Sequence, residues 1–95
     1  MPRRDRGDFS RSSRSARTEL DLRGLTTEEA LLEVDKFLDD ARLSGLERVT
    51  IIHGKGTGAL RAAVQAHLKS CPGVDSFRLG AYGEGEAGVT VVTMK

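Results

Sequence analysis

Two hydrophobic periods alternate along the chain. Thr18-Glu19-Leu20-Asp21-Leu22-Arg23-Gly24 alternates at period two, which predicts a half-buried strand closed by Gly24. Leu20 and Leu22 take one side, and Glu19, Asp21 and Arg23 the other. At Thr26-Thr27-Glu28-Glu29 the period changes. Thr26 and Glu29 have capping-box spacing, and Ala30, Leu31, Val34, Phe37, Leu38 and Ala41 then form one helical stripe. Glu28, Glu33, Asp35, Asp39 and Asp40 lie off it and read as a solvated face. Gly45 suits the position just past the helix end. Glu47-Arg48-Val49-Thr50-Ile51-Ile52 is a β-branched run with the near-continuous apolar character of a central, parallel-paired strand. A second helix carries Leu60, Ala63, Val64, His67 and Leu68 on one stripe, where His67 reads as structural, and Pro72-Gly73 stops it. Val74–Leu79 and Val89–Met94 are two more strands, joined by the glycine-rich segment 80–88.

The order is β-α-β-α-β-β. It predicts an α/β fold, a small two-layer sandwich with a mixed four-stranded sheet and two helices, whose first βαβ unit is right-handed. Ninety-five residues bound this to one domain, placed at 18–95. Residues 1–17 have almost no apolar content apart from Phe9 and no periodicity. They read as a disordered basic arm or linker.

Charge sharpens that division. Residues 1–17 hold six arginines against two aspartates, a net of +4, whereas 18–95 hold nine basic and twelve acidic side chains, a net of −3. Nucleic-acid affinity rests on Lys and Arg at phosphates, so the domain needs a local basic patch or help from the arm. No apolar run approaches the roughly 18 residues of a membrane span, and the arginine-rich start lacks the apolar stretch of a secretory signal. The lone cysteine, Cys71, excludes an internal disulfide and suits a reducing, cytoplasmic setting, where it reads as a half-buried structural thiol.

The candidate chemistry gathers at one junction. Ile51-Ile52-His53-Gly54-Lys55-Gly56-Thr57-Gly58-Ala59-Leu60-Arg61 reads as strand, tight loop and helix start. Glycines there permit positive φ and close approach, and a helix start offers unpaired N–H groups to a phosphate. In open α/β sheets ligands gather beyond the carboxyl ends of parallel strands. That edge brings Asp21 and Arg23 beside His53 and Lys55. An imidazole exchanges protons near neutral pH. Arg and Lys hold phosphate, and Asp21 is positioned to orient His53 or bind a metal. Asp21 and Arg23 could equally form a solvent-side ion pair. Gly54-x-Gly56-x-Gly58 is neither a dinucleotide fingerprint nor a P-loop, and no Cys/His ligand cluster points to structural zinc.

Leu20-Asp21-Leu22-Arg23-Gly24, His53-Gly54-Lys55-Gly56-Thr57-Gly58-Ala59-Leu60-Arg61 and Gly88-Val89-Thr90-Val91-Val92 together resemble the small MutS-related (Smr) domain over 18–95. Within that family the chain looks most like the domain that ends the bacterial MutS paralogue acting outside mismatch repair. The resemblance implies a fold similar to the C-terminal domain of the third bacterial initiation factor. It implies a nicking endonuclease acting on DNA, branched or duplex, with Mg²⁺ or Mn²⁺ as a possible cofactor and Asp21 as its possible ligand. His53, Asp21 and Arg23 map onto the family's catalytic candidates. Gly54, Lys55, Gly56, Thr57 and Gly58 map onto the phosphate-binding loop, and Arg61 follows it as a further phosphate ligand. It also implies links to restrained recombination and stalled ribosomes within a larger MutS-like protein. The alternatives are a non-catalytic module docking on DNA, RNA or the ribosome, and a metal-free ribonuclease. Glu86-Ala87 stands where relatives often carry another glycine, and Glu84 adds charge to the same loop.

Overall fold

The computed structural model describes residues 17–95. The arm expected over 1–17 lies outside them except for Arg17, whose guanidinium stands 5.8 Å from the Phe37 ring centroid. The elements are β1 (Glu19–Asp21), α1 (Thr27–Leu43), β2 (Arg48–Ile52), α2 (Ala59–Leu68), β3 (Val74–Leu79), a 3-10 turn (Glu86–Gly88) and β4 (Val89–Met94). The sheet runs β1-β2-β4-β3. β1 and β2 are parallel, and β4 is antiparallel to both β2 and β3. This is the predicted mixed sheet with two helices.

Local chemistry explains the helix limits. Thr26 caps α1: its hydroxyl accepts from the Glu29 N–H at 3.2 Å, and the Glu29 carboxylate accepts from the Thr26 N–H at 3.0 Å. At the other end the Gly45 N–H donates to Arg42 O and the Leu46 N–H to Ala41 O, with Gly45 at φ +73°. That pair of bonds closes the helix in a left-handed turn that suits glycine. Ala30, Val34, Phe37, Leu38 and Ala41 of α1, with Val64 and Leu68 of α2, pack on Leu20, Leu22, Val49, Ile51 and Val92 as one core. Among the described residues no helix is long and apolar enough to cross a membrane.

Two expectations change. The first strand, predicted over 18–24, narrows to three residues. The Leu22 N–H still donates to Ile52 O at 2.7 Å, but Gly24 at φ +88° turns the chain, so Arg23 sits in the turn. His67, read as structural, ties the two helices together: its half-buried ring meets Asp35 Oδ1 through Nε2 at 2.6 Å. The acid face of α1 is therefore not wholly solvated. Cys71 is half-buried as expected, and burial, with the Asp35 charge second, pushes its thiol up.

Segment 80–88 folds back on β4. A Cβ at Gly80 would stand 2.5 Å from Val89 Cγ2 and 3.0 Å from the Glu86 backbone nitrogen. Gly80→Ala should therefore destabilise the domain by about 1–3 kcal/mol, the usual range for forced overpacking. Urea unfolding should show a lower midpoint at unchanged slope; an unchanged midpoint would mean the segment yields freely.

Candidate nucleic-acid interface

Parallel pairing of β1 and β2 sets the site. Asp21 stands opposite Ile52 in register, so Arg23 and His53, which follow those strand ends, reach the same edge. His53 is nonetheless buried, with 5% of its surface exposed. Its Nδ1 lies 3.0 Å from the Gly54 carbonyl and its Nε2 2.8 Å from Thr90 Oγ1. A carbonyl only accepts, so Nδ1 carries the proton, and in the neutral ring Nε2 accepts from the Thr90 hydroxyl. Gln65 Nε2 donates to the same hydroxyl at 3.4 Å.

Asp21 does not orient this imidazole. Its carboxylate is committed to Arg23, which donates Nε to Oδ1 at 3.0 Å, Nη2 to Oδ2 at 2.7 Å and its backbone N–H to Oδ1 at 3.0 Å. These bonds, the side-chain ones foremost, hold the Asp21 carboxyl down at about 2 and raise the Arg23 guanidinium. The solvent-side ion pair is the reading the geometry supports. A divalent cation such as Mg²⁺ takes about six oxygen ligands, commonly one or two carboxylates with waters and substrate phosphates, so Asp21 would first have to give up the three donors that now bind its carboxylate.

The glycine loop seats the cations. A Cβ at Gly54 would lie 3.3 Å from Arg23 Cγ, and one at Gly58 2.8 Å from Arg61 Nη2. Both glycines have positive φ, +82° and +86°, a conformation that favours glycine, and at Gly58 the neighbouring atom is the flexible tip of Arg61, so φ rather than the approach makes the demand. The Lys55 stem lies against Gly88 at ordinary contact distance, its Cγ 3.4 Å from where a Cβ would stand. Lys55 Nζ stands 3.8 Å from Glu86, whereas Glu84 turns away to Arg78 at 2.8 Å, which with the Ala81 N–H holds the Glu84 carboxyl at about 2. Of the two loop acids, one moderates Lys55 and the other leaves the edge alone. Arg61 has no carboxylate partner among the described residues.

Gly58 caps α2 without a side-chain bond, while Thr57 Oγ1 accepts from the Ala59 N–H at 3.3 Å. The N–H groups of Gly56, Thr57, Gly58, Leu60 and Arg61 make no backbone hydrogen bond among the described residues. Those residues line a cavity of about 320 Å³ that is also lined by Leu25, Thr26 and Thr27 at the start of α1. Two helix N-termini thus share one cavity with Lys55 and Arg61 on its wall. The α2 terminus contributes partial positive charge and orphan donors, an arrangement suited to an anion, whereas the capping box and the first-turn Glu28 and Glu29 offset the positive end of α1. Sequence reasoning located the loop and Arg61 but missed the contribution of α1 and the roles of Thr90 and Gln65. The hint for Thr90 was present: it shares a strand face with Val92 and Met94, and a hydroxyl buried there needs a partner.

Residues 20–95 match the Smr domain family model. The chain belongs to the Smr domain family. It is 60% identical over 83 residues to a protein of Acetivibrio thermocellus named Endonuclease MutS2, covering 87% of this chain and 10% of that one. A Clostridium novyi protein of the same name is 55% identical over 92 residues, covering 97% and 12%. The chain therefore spans about a tenth of the length of these relatives. Among solved structures, the Smr domain of Thermus thermophilus MutS2 is 52% identical and superposes with a TM-score of 0.81, covering 82% of this chain and 98% of that domain. YdaL, a stand-alone small MutS-related protein of Escherichia coli, is 27% identical with a TM-score of 0.78, covering 82% and 64%.

The Asp21–Arg23 pair of this Smr domain gives a pH prediction. Its folded pKa, about 2, lies below the ordinary 3.8, so the pair's stabilisation is complete above pH 3.8 and lost as pH falls through about 2. A carboxyl-carbon NMR titration should show Asp21 unchanged from about pH 8 to pH 4, with its midpoint near 2. A midpoint at the ordinary value would break the pairing.

Proposed function

We propose that this Smr domain grips the phosphate backbone of a nucleic acid in the cavity between its two helix N-termini and nicks it by phosphodiester hydrolysis. The observation that carries the reading is the convergence on one cavity of both helix starts with Arg61 and a set of loop N–H groups that have no partner among the described residues. The loop N–H groups and Arg61 take non-bridging oxygens. Lys55 and Arg23 add positive charge at the rim and stabilise the charge that grows on phosphorus oxygens during in-line attack. Water attacks phosphorus as the P–O bond to the leaving oxygen breaks; His53 Nε2, once Thr90 releases it, takes that water's proton, and the leaving oxygen takes one from solvent. Asp21 acts through Arg23, holding its guanidinium while the Arg23 stem lies against Gly54. Backbone contact dominates, so recognition follows shape with little sequence specificity. Branched or duplex DNA is the proposed substrate, in a cytoplasmic setting that keeps Cys71 reduced.

A second reading, a clamp for DNA, RNA or the ribosome that holds phosphate without cutting, is favoured by the burial of His53 and the engagement of both its nitrogens. Binding is common to both readings. Arg61→Ala should weaken binding to a branched DNA and to a matched RNA by about tenfold, and lower the salt slope by about one, without regard to sequence. Unchanged affinity and slope would remove the cavity from the interface. Catalysis separates the readings. In a plasmid-nicking assay run with Mg²⁺, Mn²⁺ or EDTA, His53→Gln should lose at least 100-fold in rate while keeping its affinity, the usual scale of a lost proton-transfer group. A folded His53→Gln variant that nicks at the parent rate would exclude this mechanism. A parent chain that binds tightly but never nicks would select the clamp.

A further inference from the structure

At the far end of α2 from the glycine loop, three residues distant in sequence meet. Asp35 comes from the middle of α1, His67 from the last turn of α2, and Cys71 from the turn that follows. His67 and Cys71 are four residues apart, which brings them to one side of the helix end. The His67 ring meets the Asp35 carboxylate at 2.6 Å, and the Cys71 thiol donates to the His67 carbonyl at 3.4 Å. One donor atom from each side chain, a carboxylate oxygen, a ring nitrogen and the sulfur, lie within 4.8 Å of one another. Among the described residues this is the sole such grouping of three or more His, Cys, Asp or Glu side chains.

We propose that Asp35, His67 and Cys71 form a binding site for a divalent cation of the zinc class, with three protein ligands and one position open to solvent. The donor set selects the class: thiolate and imidazole suit zinc or cobalt and disfavour Mg²⁺ or Ca²⁺. Zinc bonds of about 2.0–2.3 Å in a tetrahedron set ligand-to-ligand separations of roughly 3.3–3.8 Å. The three donors need only small adjustments to reach that spacing. The His67–Asp35 contact opens by under about 1 Å, and the sulfur closes in by a similar amount. Side-chain exposures of 56% for Asp35 and 26% for His67 leave an entry path. A groove of about 260 Å³ lined by Asp35, Cys71 and Met94 runs beside it. Asp39 lines the same groove but is held by Arg42 at 2.7 Å, so the fourth position goes to water or a solute. On binding, the Cys71 thiol gives its proton to the solvent and becomes the thiolate ligand. No redox change is involved. The ion ties the C-terminal end of α2 to α1 at the opposite end of α2 from the glycine loop. A ten-residue helix separates the two places by about 15 Å.

Cys71 is the only cysteine and His67 one of two histidines in the chain, which makes the test direct. The full 95-residue chain, stripped with EDTA, is titrated with Co²⁺ and then Zn²⁺. The expected result is one equivalent of Co²⁺ with visible tetrahedral bands and a near-ultraviolet thiolate-to-cobalt band, displaced by Zn²⁺. Zinc at a hundred times its Kd should raise Tm by on the order of 10 °C. It should slow alkylation of Cys71 at least tenfold, whereas Mg²⁺ should do neither. Cys71→Ser, checked for folding by circular dichroism, should lose the thiolate band and most of the Tm rise while binding nucleic acid like the parent. If the thiolate band is absent, or Zn²⁺ leaves alkylation unchanged, the proposal fails. It fails too if Cys71→Ser keeps the full Tm rise. None of these readouts depends on whether the glycine loop holds phosphate.

Discussion

The site depends on one carbonyl. Gly88 O accepts from both the His53 N–H, at 3.1 Å, and the Gly54 N–H, at 2.9 Å, as the chain leaves β2. Those two bonds tie the loop to the start of β4. They fix where the peptide plane turns, and so where Gly54 enters its positive φ. Without them the loop would hold its shape only by its own torsions, and three glycines in five residues would make that entropically costly. With them, Arg23 packs on Gly54, Arg61 on Gly58 and Lys55 on Gly88 itself. The same clamp explains why segment 80–88 must fold tightly: its closing turn presents the acceptor.

His53 belongs to that clamp as much as to any chemistry. Its ring bonds the Gly54 carbonyl and the Thr90 hydroxyl, so it joins the loop to β4 a second time, from the side chain. A buried polar group left unsatisfied costs about 1–3 kcal/mol, so replacement by an apolar residue threatens the loop before it threatens catalysis. Loss of activity in such a variant would be uninformative. This is why the conservative glutamine, with binding measured alongside nicking, is the useful substitution.

Periodicity carried the architecture. Alternation at Leu20 and Leu22, the helical stripe from Ala30 to Ala41 and the Thr26–Glu29 cap were each readable because local propensity and tertiary burial agree there. The glycine loop was readable for a similar reason: its residues are contiguous and their backbone demands are local. Partners distant in sequence were not readable. Thr90 and His53 are 37 residues apart, and His67 and Asp35 are 32 apart. Each pairing requires knowing how the helices lie on the sheet, and a stripe of apolar residues does not give the rotation of one helix against another. Asp21 is the instructive middle case. Its position at the strand end was legible, but its choice of Arg23 over His53 was decided by the turn at Gly24, which swings the guanidinium back onto the carboxylate.

Charge then settles how an acidic domain can attract a polyanion. The region 18–95 carries a net of −3, yet much of that charge, Glu33, Asp35, Asp39 and Asp40, lies along α1 beyond its first turn. At physiological salt the screening length is about 8 Å, so exposed acids two or more turns along the helix are felt weakly at its start. Within that radius the cavity sees Arg61, Lys55, two helix N-termini and a row of unpaired N–H groups. Of its nearest acids Asp21 is engaged by Arg23, Glu29 by the Thr26 N–H and Glu86 by Lys55, while Glu28 in the first turn of α1 has no partner among the described residues. Local field therefore outweighs net charge at this edge. A phosphate arriving there meets donors that need no reorganisation, and the acidic remainder of the surface disfavours docking in any other orientation.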